Sequence, residues 1–210
     1  MRIITISRQF GSGGRELGKR LADVLGFDYY DREIIDTLAE RQNLDPEYVR
    51  SELSYHGWNH VHLTYHSSFS TVMPVSSLKT QLMSQERELI RQIPESGNDF
   101  IIIGRNAEVI LEEYKPFCIF VCASLEDRLA RCMEHEKKRP VDEQLPEKQV
   151  LKNIKRIDKE RIQTREILTG RDLSDMSTYD MTVNAGGRNM KKLAQAVGEF
   201  ALRWFEEETE

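Results

Sequence analysis

Apolar residues along this chain keep changing their period, and the changes mark its elements. A β-branched run over residues 3–7 halts at a cluster of glycine and serine, after which Leu17, Leu21, Val24 and Leu25 recur at helical spacing as far as Gly26. The pattern predicts a strand, a glycine loop and a helix. FDYYD reads as a second short strand ending in the acid Asp31, REIIDTLAERQ as a helix, and Asp45 with Pro46 as the opening of another. Residues 82–93 have helical spacing, DFIIIGR is a buried strand ending at Gly104 and Arg105, and FCIFVCAS is the next buried strand, followed by a helix over 125–133. YDMTVNA is a last strand and residues 190–205 an amphipathic closing helix. Alternation of this kind calls for an α/β fold with a parallel sheet.

Two segments depart from the alternation. Residues 51–80 are rich in Ser, His and aromatics without a clean period, and read as an insertion on the substrate side or a mobile segment. Residues 136–171 are dominated by charge: Pro140 and Pro146 bracket an acidic linker before a long polar helix carrying KNIKRIDKERIQTRE. A helix this polar also serves as a plain solvated face.

Composition narrows the function more than the fold. With 210 residues and 39% hydrophobic content the chain is expected to form one domain around one substantial core. Its 30 basic and 35 acidic residues leave a net charge of −5, which argues against a nucleic-acid polymer as partner. Met1 runs straight into Arg2 and Ile3 with no apolar signal core, and no stretch approaches the ~20 apolar residues of a membrane span, so a cytoplasmic location off the membrane is expected. Cys118, Cys122 and Cys132 lack the spacing of a disulfide frame or a zinc site and are expected as buried free thiols. His56, His60, His62 and His66 offer i, i+4 pairs, but Gly57 interrupts the helix they would need and no Cys or carboxylate cluster completes a metal site.

The candidate chemistry begins in RQFGSGGRE. A glycine loop between a first strand and a first helix turns backbone N–H groups and the positive helix end toward an anion. Gly11, Ser12, Gly13 and Gly14 would supply that turn, although a glycine-rich turn is also an ordinary tight connection.

Several blocks in the same order give the loop its meaning. ITISRQFGSGGRELGKRLADVLGFDYYD, IIIGRNAEVIL, IFVCASLEDRLAR, IKRIDKER and YDMTVNA together resemble the cytidylate kinase-like proteins, relatives of bacterial cytidylate kinase among the P-loop nucleoside monophosphate kinases. The resemblance spans nearly the whole chain. It implies a three-layer P-loop kinase-like fold, with a central, mainly parallel sheet, helices on both faces and a helical lid within 136–171. It further implies ATP with Mg2+, a nucleotide and a small acceptor as ligands, and 51–80 on the acceptor side.

Carried over residue by residue, the resemblance is uneven. The loop of these kinases reads GxxGxGK, then a small residue and Thr; the lysine bridges phosphates and the hydroxyl helps hold magnesium. Laid on it without a gap, this chain has Arg8 at the first glycine, Gly14 at the lysine and Glu16 at the threonine. A slip of one residue brings Arg15 to the lysine's place, a planar phosphate ligand that compensates without being equivalent. Glu16 has two readings: a direct magnesium ligand, or an acid facing solvent in a first helical turn.

Asp31 matches the acid of the family's LDSGAIYR block, implying a role with magnesium or the acceptor phosphate, or else it caps the next helix. Gly104 and Arg105 match the DGRD block, whose arginine contacts the acceptor nucleotide, with Asn106 in the place of Asp. Cys122 stands where the family has an acid. Arg128 and Arg131 share a helix at i, i+3, which by resemblance approaches the ATP side, or pairs with Glu126 or Asp127 as an ordinary helix face. Arg156, Arg161 and Arg165 lie near the arginine-rich lid, with Asp158 or Glu160 to orient them.

The resulting expectation is transfer of the ATP γ-phosphoryl group to a small acceptor, CMP or dCMP first. Arg15, Asp31, Arg156 and Arg161 are the catalytic candidates. The losses at Gly14, Glu16 and Cys122 keep open a nucleotide-binding regulatory module without turnover, and the 51–80 segment keeps open a different small acceptor.

Overall fold

A computed structural model describes residues 1–53 and 77–207. These form two compact units, one of residues 1–31 and 96–210 and one of residues 32–95. The histidine-rich segment, with His56, His60, His62 and His66, lies outside the described residues.

The first unit is built on a five-stranded sheet among the described residues, in the order β2-β3-β1-β4-β5. Its strands are β1 (Ile3–Arg8), β2 (Asp28–Tyr30), β3 (Phe100–Ile103), β4 (Phe117–Cys122) and β5 (Met181–Asn184). Every pairing is parallel, with Ile6 opposite Ile103 on one side and Ile119 on the other. Buried parallel strands must be apolar on both faces, which is why Ile3, Ile4, Ile6 and the run Phe100 to Ile103 carry so little polarity. β1 is central, and its connection leaves toward β2 while that of β4 leaves toward β5, so a crevice opens at their carboxyl ends.

Helices cover both faces. α1 (Gly14–Leu25) and α8 (Met190–Glu207) share one core with Ile4, Ile6, Ile103, Phe117 and Ile119, to which Leu17, Leu21, Ala194 and Val197 contribute. At its edge the Phe117 ring meets Trp204 at 4.9 Å and Phe200 at 5.9 Å between centroids. The opposite face carries Ser7 and Phe120 and is closed by Tyr179, whose ring lies 5.0 Å from that of Phe120. α5 (Ala107–Ile110) and α7 (Glu147–Thr169) also belong to this face, through Glu108 and the fully buried Arg165. These two side chains are ion-paired, Ser7 Oγ donates to Glu108 at 3.3 Å, and Arg165 sits over the Tyr179 ring. Arg165, read as a lid arginine, is therefore part of the packing beneath the sheet.

The second unit contains α2 (Glu33–Gln42), α3 (Pro46–Leu53) and α4 (Ser77–Gln92) around Ile35, Leu38, Val49, Leu82 and Leu89. Asp45 opens α3 by accepting from the N–H groups of Glu47 and Tyr48 at 2.9 and 3.0 Å. In the first unit α6 (Leu125–Glu136) is capped by Ser124, which accepts from Asp127 N–H at 3.0 Å.

The three cysteines are free, as expected, but half-buried rather than buried. Burial pushes the Cys118 thiol up to about 11. Among the described residues no helix is long and apolar enough to cross a membrane.

Phe117→Ala is expected to lower stability by about 3–5 kcal/mol in urea unfolding, because it opens a cavity at a fully buried ring. Phe200→Ala, at a ring 47% exposed, is expected to cost well under half as much in the same measurement.

Candidate functional site

The loop that leaves β1 is held at several points. Gln9 N–H donates to Val121 O at 3.0 Å, and the Gln9 side-chain oxygen accepts from Ala123 N–H at 3.2 Å, so the loop is tied to the end of β4. Phe10 is gripped on both sides of its peptide. Its N–H donates to Asp158 Oδ1 at 2.7 Å, its carbonyl accepts from Arg128 Nη1 at 3.2 Å, and Arg128 and Asp158 are ion-paired with each other. Helices α6 and α7 thus clamp one residue of the loop between opposite charges.

Close packing beneath the loop requires its glycines. Gly11 and Gly13 have φ of +77° and +91°, and a Cβ on Gly11 would stand 2.9 Å from Cys132 Sγ and 3.0 Å from the Arg128 carbonyl. A Cβ on Gly13 would meet Arg131 Cζ at 3.0 Å. Ser12 is fully buried and its hydroxyl donates to Gln9 O at 2.9 Å, so it shapes the turn instead of presenting a donor outward. Arg128 is likewise buried, ion-paired with Asp158 and with neither Glu126 nor Asp127. It fixes the backbone of the loop at Phe10.

Above the loop four arginines converge. Arg8 ends β1, Arg15 lies in the first turn of α1, Arg105 follows β3 and Arg161 comes from α7. Arg15 faces Asp31 with two contacts, Nε to Oδ2 at 2.5 Å and Nη2 to Oδ1 at 3.2 Å. Asp31 is 6% exposed and so acts as a buried counter-charge, one residue ahead of Arg32 at the cap of α2. Arg161 donates to the Arg8 carbonyl at 3.0 Å and lies 5.6 Å from the centre of the Phe10 ring.

The electrostatics follow from this crowding. Burial holds Arg8 well below the ordinary guanidinium value, reinforced by the positive charges of Arg161, Arg105 and Arg15 and opposed by Asp31. Burial likewise brings Arg161 down to about 10, with Arg15 and Arg105 acting in the same direction and Asp158 and Asp31 against it. Guanidinium groups stay charged at neutral pH, so the cluster carries an excess of positive charge that an anion would relieve.

Arg105 is presented by an unusual backbone. Gly104, Arg105 and Asn106 have φ of +69°, +62° and +53°, three successive left-handed residues between β3 and α5. Such conformations cost about 1–3 kcal/mol each for residues with a side chain, and they concentrate at functional sites. Asn106 occupies the cap of α5, where its side chain makes no capping bond.

Arg156 and Glu16 have partners of their own. Arg156 pairs with Glu160 at 2.6 Å along α7, whereas Asp158 points to the loop. Glu16 sits in the first turn of α1 with Oε1 3.0 Å from Arg20 and Oε2 3.3 Å from Arg131. Both its oxygens are thus engaged. Among the described residues no group of three or more His, Cys, Asp or Glu is arranged to hold a metal ion. Asp31 remains as a buried carboxylate beside the arginines. That suits an ion carried in on phosphate, which needs only one or two protein carboxylates.

Arg8 joins the cluster without a role that the sequence had suggested, and Asp158, expected to orient lid arginines, instead holds the Phe10 backbone and Arg128. Arg8 aligns with a lost glycine of the loop, yet it closes a buried strand much as Arg105 follows one, and that similar position is the signal the sequence carries. Asp158 gave no local sign of the distant Phe10 backbone.

The sequence profile described as the cytidylate kinase-like family matches residues 3–186. An uncharacterized protein from Eubacterium ventriosum has a similar structure, with a TM-score of 0.68, 22% identity and coverage of 96% of this chain and 98% of that one. Shikimate kinase from Bacteroides thetaiotaomicron follows at TM-score 0.57 and 13% identity, covering 95% and 97% of the two chains. Shikimate kinase from Acinetobacter baumannii, in complex with shikimate, gives 0.53 and 12%, covering 97% and 94%. At these identities the likeness is one of fold. No curated protein matches the chain.

Two outcomes follow from the clamp and the charge. Asp158→Ala should cost about 2–3 kcal/mol in denaturant unfolding, since it strands Arg128 and the Phe10 N–H. Inorganic phosphate at ten times its dissociation constant should stabilise the protein by about 1.4 kcal/mol, read as a rise in unfolding temperature over chloride at equal ionic strength.

Proposed function

The chain belongs to the cytidylate kinase-like family, and we propose that it transfers the γ-phosphoryl group of ATP to a small acceptor in the cytoplasm, with CMP or dCMP the first candidate. The observation carrying this reading is the convergence of Arg8, Arg15, Arg105 and Arg161 above a clamped glycine loop at the carboxyl edge of β1. Phosphoryl transfer asks little covalent help of a protein and much charge neutralisation and alignment, so no general base is required.

In this reading each residue takes a role. The backbone N–H groups from Gly11 to Gly14, at the positive end of α1, hold donor phosphates. Arg15, braced by Asp31, faces the same region and stabilises the group in transfer. Arg105 holds the acceptor's anionic end, and Arg161 adds charge from α7 while closing on Phe10. Asp31 would hold magnesium, which when bound with the triphosphate neutralises phosphate charge.

A second reading has its own observation. Glu16, at the position of the family's magnesium-binding hydroxyl, is engaged by Arg20 and Arg131, and Cys122 replaces an acid. A module that binds nucleotide without turnover would show these features. The acceptor itself is the other open choice, and the shared fold with shikimate kinases makes shikimate a useful member of any panel.

ADP release from MgATP, measured against nucleoside monophosphates and small hydroxyl acceptors, tests the proposal. Strong stimulation by CMP or dCMP is expected; stimulation by another acceptor reassigns the substrate. Nucleotide binding with no stimulated turnover supports the regulatory module instead. In the active protein Arg105→Ala should raise the acceptor KM at least tenfold, whereas Arg15→Ala should act mainly on kcat.

A further inference from the structure

Gly14 is the first residue of α1, where P-loop kinases carry the lysine that reaches the β- and γ-phosphates. Its backbone does not ask for glycine: unlike Gly11 and Gly13, it is not in the left-handed region. Space does. A Cβ on Gly14 would stand 2.8 Å from Arg8 Cβ, 3.2 Å from Arg8 Cγ and 3.3 Å from Val121 Cβ. The stem of Arg8 fills the volume through which a side chain at the start of the helix would leave. Its other end rests on Gly104, where a Cβ would overlap Arg8 Nη1 and come within 2.8 Å of Cζ. Two glycines from different elements thus form a track along which Arg8 runs.

What the track delivers is a charge that Asp31 acts on without direct contact. Among the described residues the Arg8 guanidinium makes no ion pair and donates no hydrogen bond, whereas Arg15 has Asp31 and Arg161 has the Arg8 carbonyl. It is half-buried with positive neighbours, which is costly for a purely structural arginine and suited to one that awaits an anion.

We propose that Arg8 supplies, from the end of β1, the phosphate-binding cation that P-loop kinases place on the helix, and that position 14 is glycine to make room for it. The proposal rests on the phosphotransfer reading only in taking the anion to be the donor triphosphate. A guanidinium is planar and offers paired N–H groups, so it grips two phosphate oxygens where an ammonium acts as a point charge. The lysine is relocated in space rather than lost.

The test uses the full chain, with MgATP binding by calorimetry and ADP release as separate readouts. Arg8→Met, close in volume, should weaken MgATP binding about 10- to 100-fold. Its ligand-free unfolding temperature should be no lower than that of the parent, because a crowded positive charge with no ion-pair contact has been removed. Arg8→Gly combined with Gly14→Lys should bind MgATP at least fivefold tighter than Arg8→Gly alone. Gly14→Lys in the presence of Arg8 should destabilise the protein. Undiminished MgATP affinity in Arg8→Met would overturn the proposal, and a double variant no tighter than Arg8→Gly would overturn the shared role of positions 8 and 14. If the parent protein binds MgATP but transfers nothing to any acceptor, the kinase reading falls while the same affinity comparison still decides the role of Arg8.

Discussion

Like charges confined in a partly desolvated space are the constraint around which this protein is built. Burial first, and then the positive charges of their neighbours, disfavour the charged form of Arg8 and Arg161, while Asp31 supplies a buried negative charge among the arginines. Repulsion of this kind would drive flexible side chains apart into water. Here each arginine leaves a different element of one rigid unit, and the cost of crowding is carried by the packing of the sheet and its helices. That arrangement is pre-organised for an anion, because the alignment of charge is completed during folding and not at the moment of binding.

The rest of the unit serves that alignment. Strand order sets β1 between β3 and β4, so that the ends of three neighbouring strands open on one crevice. Tethers from Gln9 to β4 and from Phe10 to Asp158 and Arg128 keep the loop from collapsing onto the arginines. Three consecutive left-handed residues turn the chain sharply after β3 and bring Arg105 into the cluster. Strain of this sort persists only where the surroundings over-determine it. On the far face, the buried Arg165 and Glu108 pair fixes α7 against α5, and so sets the base from which Arg161 and Asp158 project.

Membership of a kinase-like family and an altered loop are reconciled by this picture. In the P-loop pattern a side chain departs from the helix; in this chain the same volume is entered from the strand by Arg8. Glu16, which in a linear alignment faces the phosphates, is instead engaged by Arg20 and Arg131. Substitutions that look like separate losses along the chain form a connected set once they are seen in three dimensions.

Local features could be read from the chain alone, because they arise from interactions between near neighbours. Alternating strand and helix periods marked the parallel α/β sheet, the glycine run between β1 and α1 marked the loop, and Arg105 after a fully apolar strand stood out as a charge that must emerge from the core. The division into two compact units, the clamp on Phe10 and the burial of Arg128 and Ser12 had no such signature. Asp158 meets Phe10 across 148 positions of sequence, and only the docking of α7 beside the loop decides that contact. Whether Gly14 is a missing lysine or a space kept for Arg8 was likewise undecidable along the chain, since it turns on the direction of one side chain relative to a helix that begins six residues later.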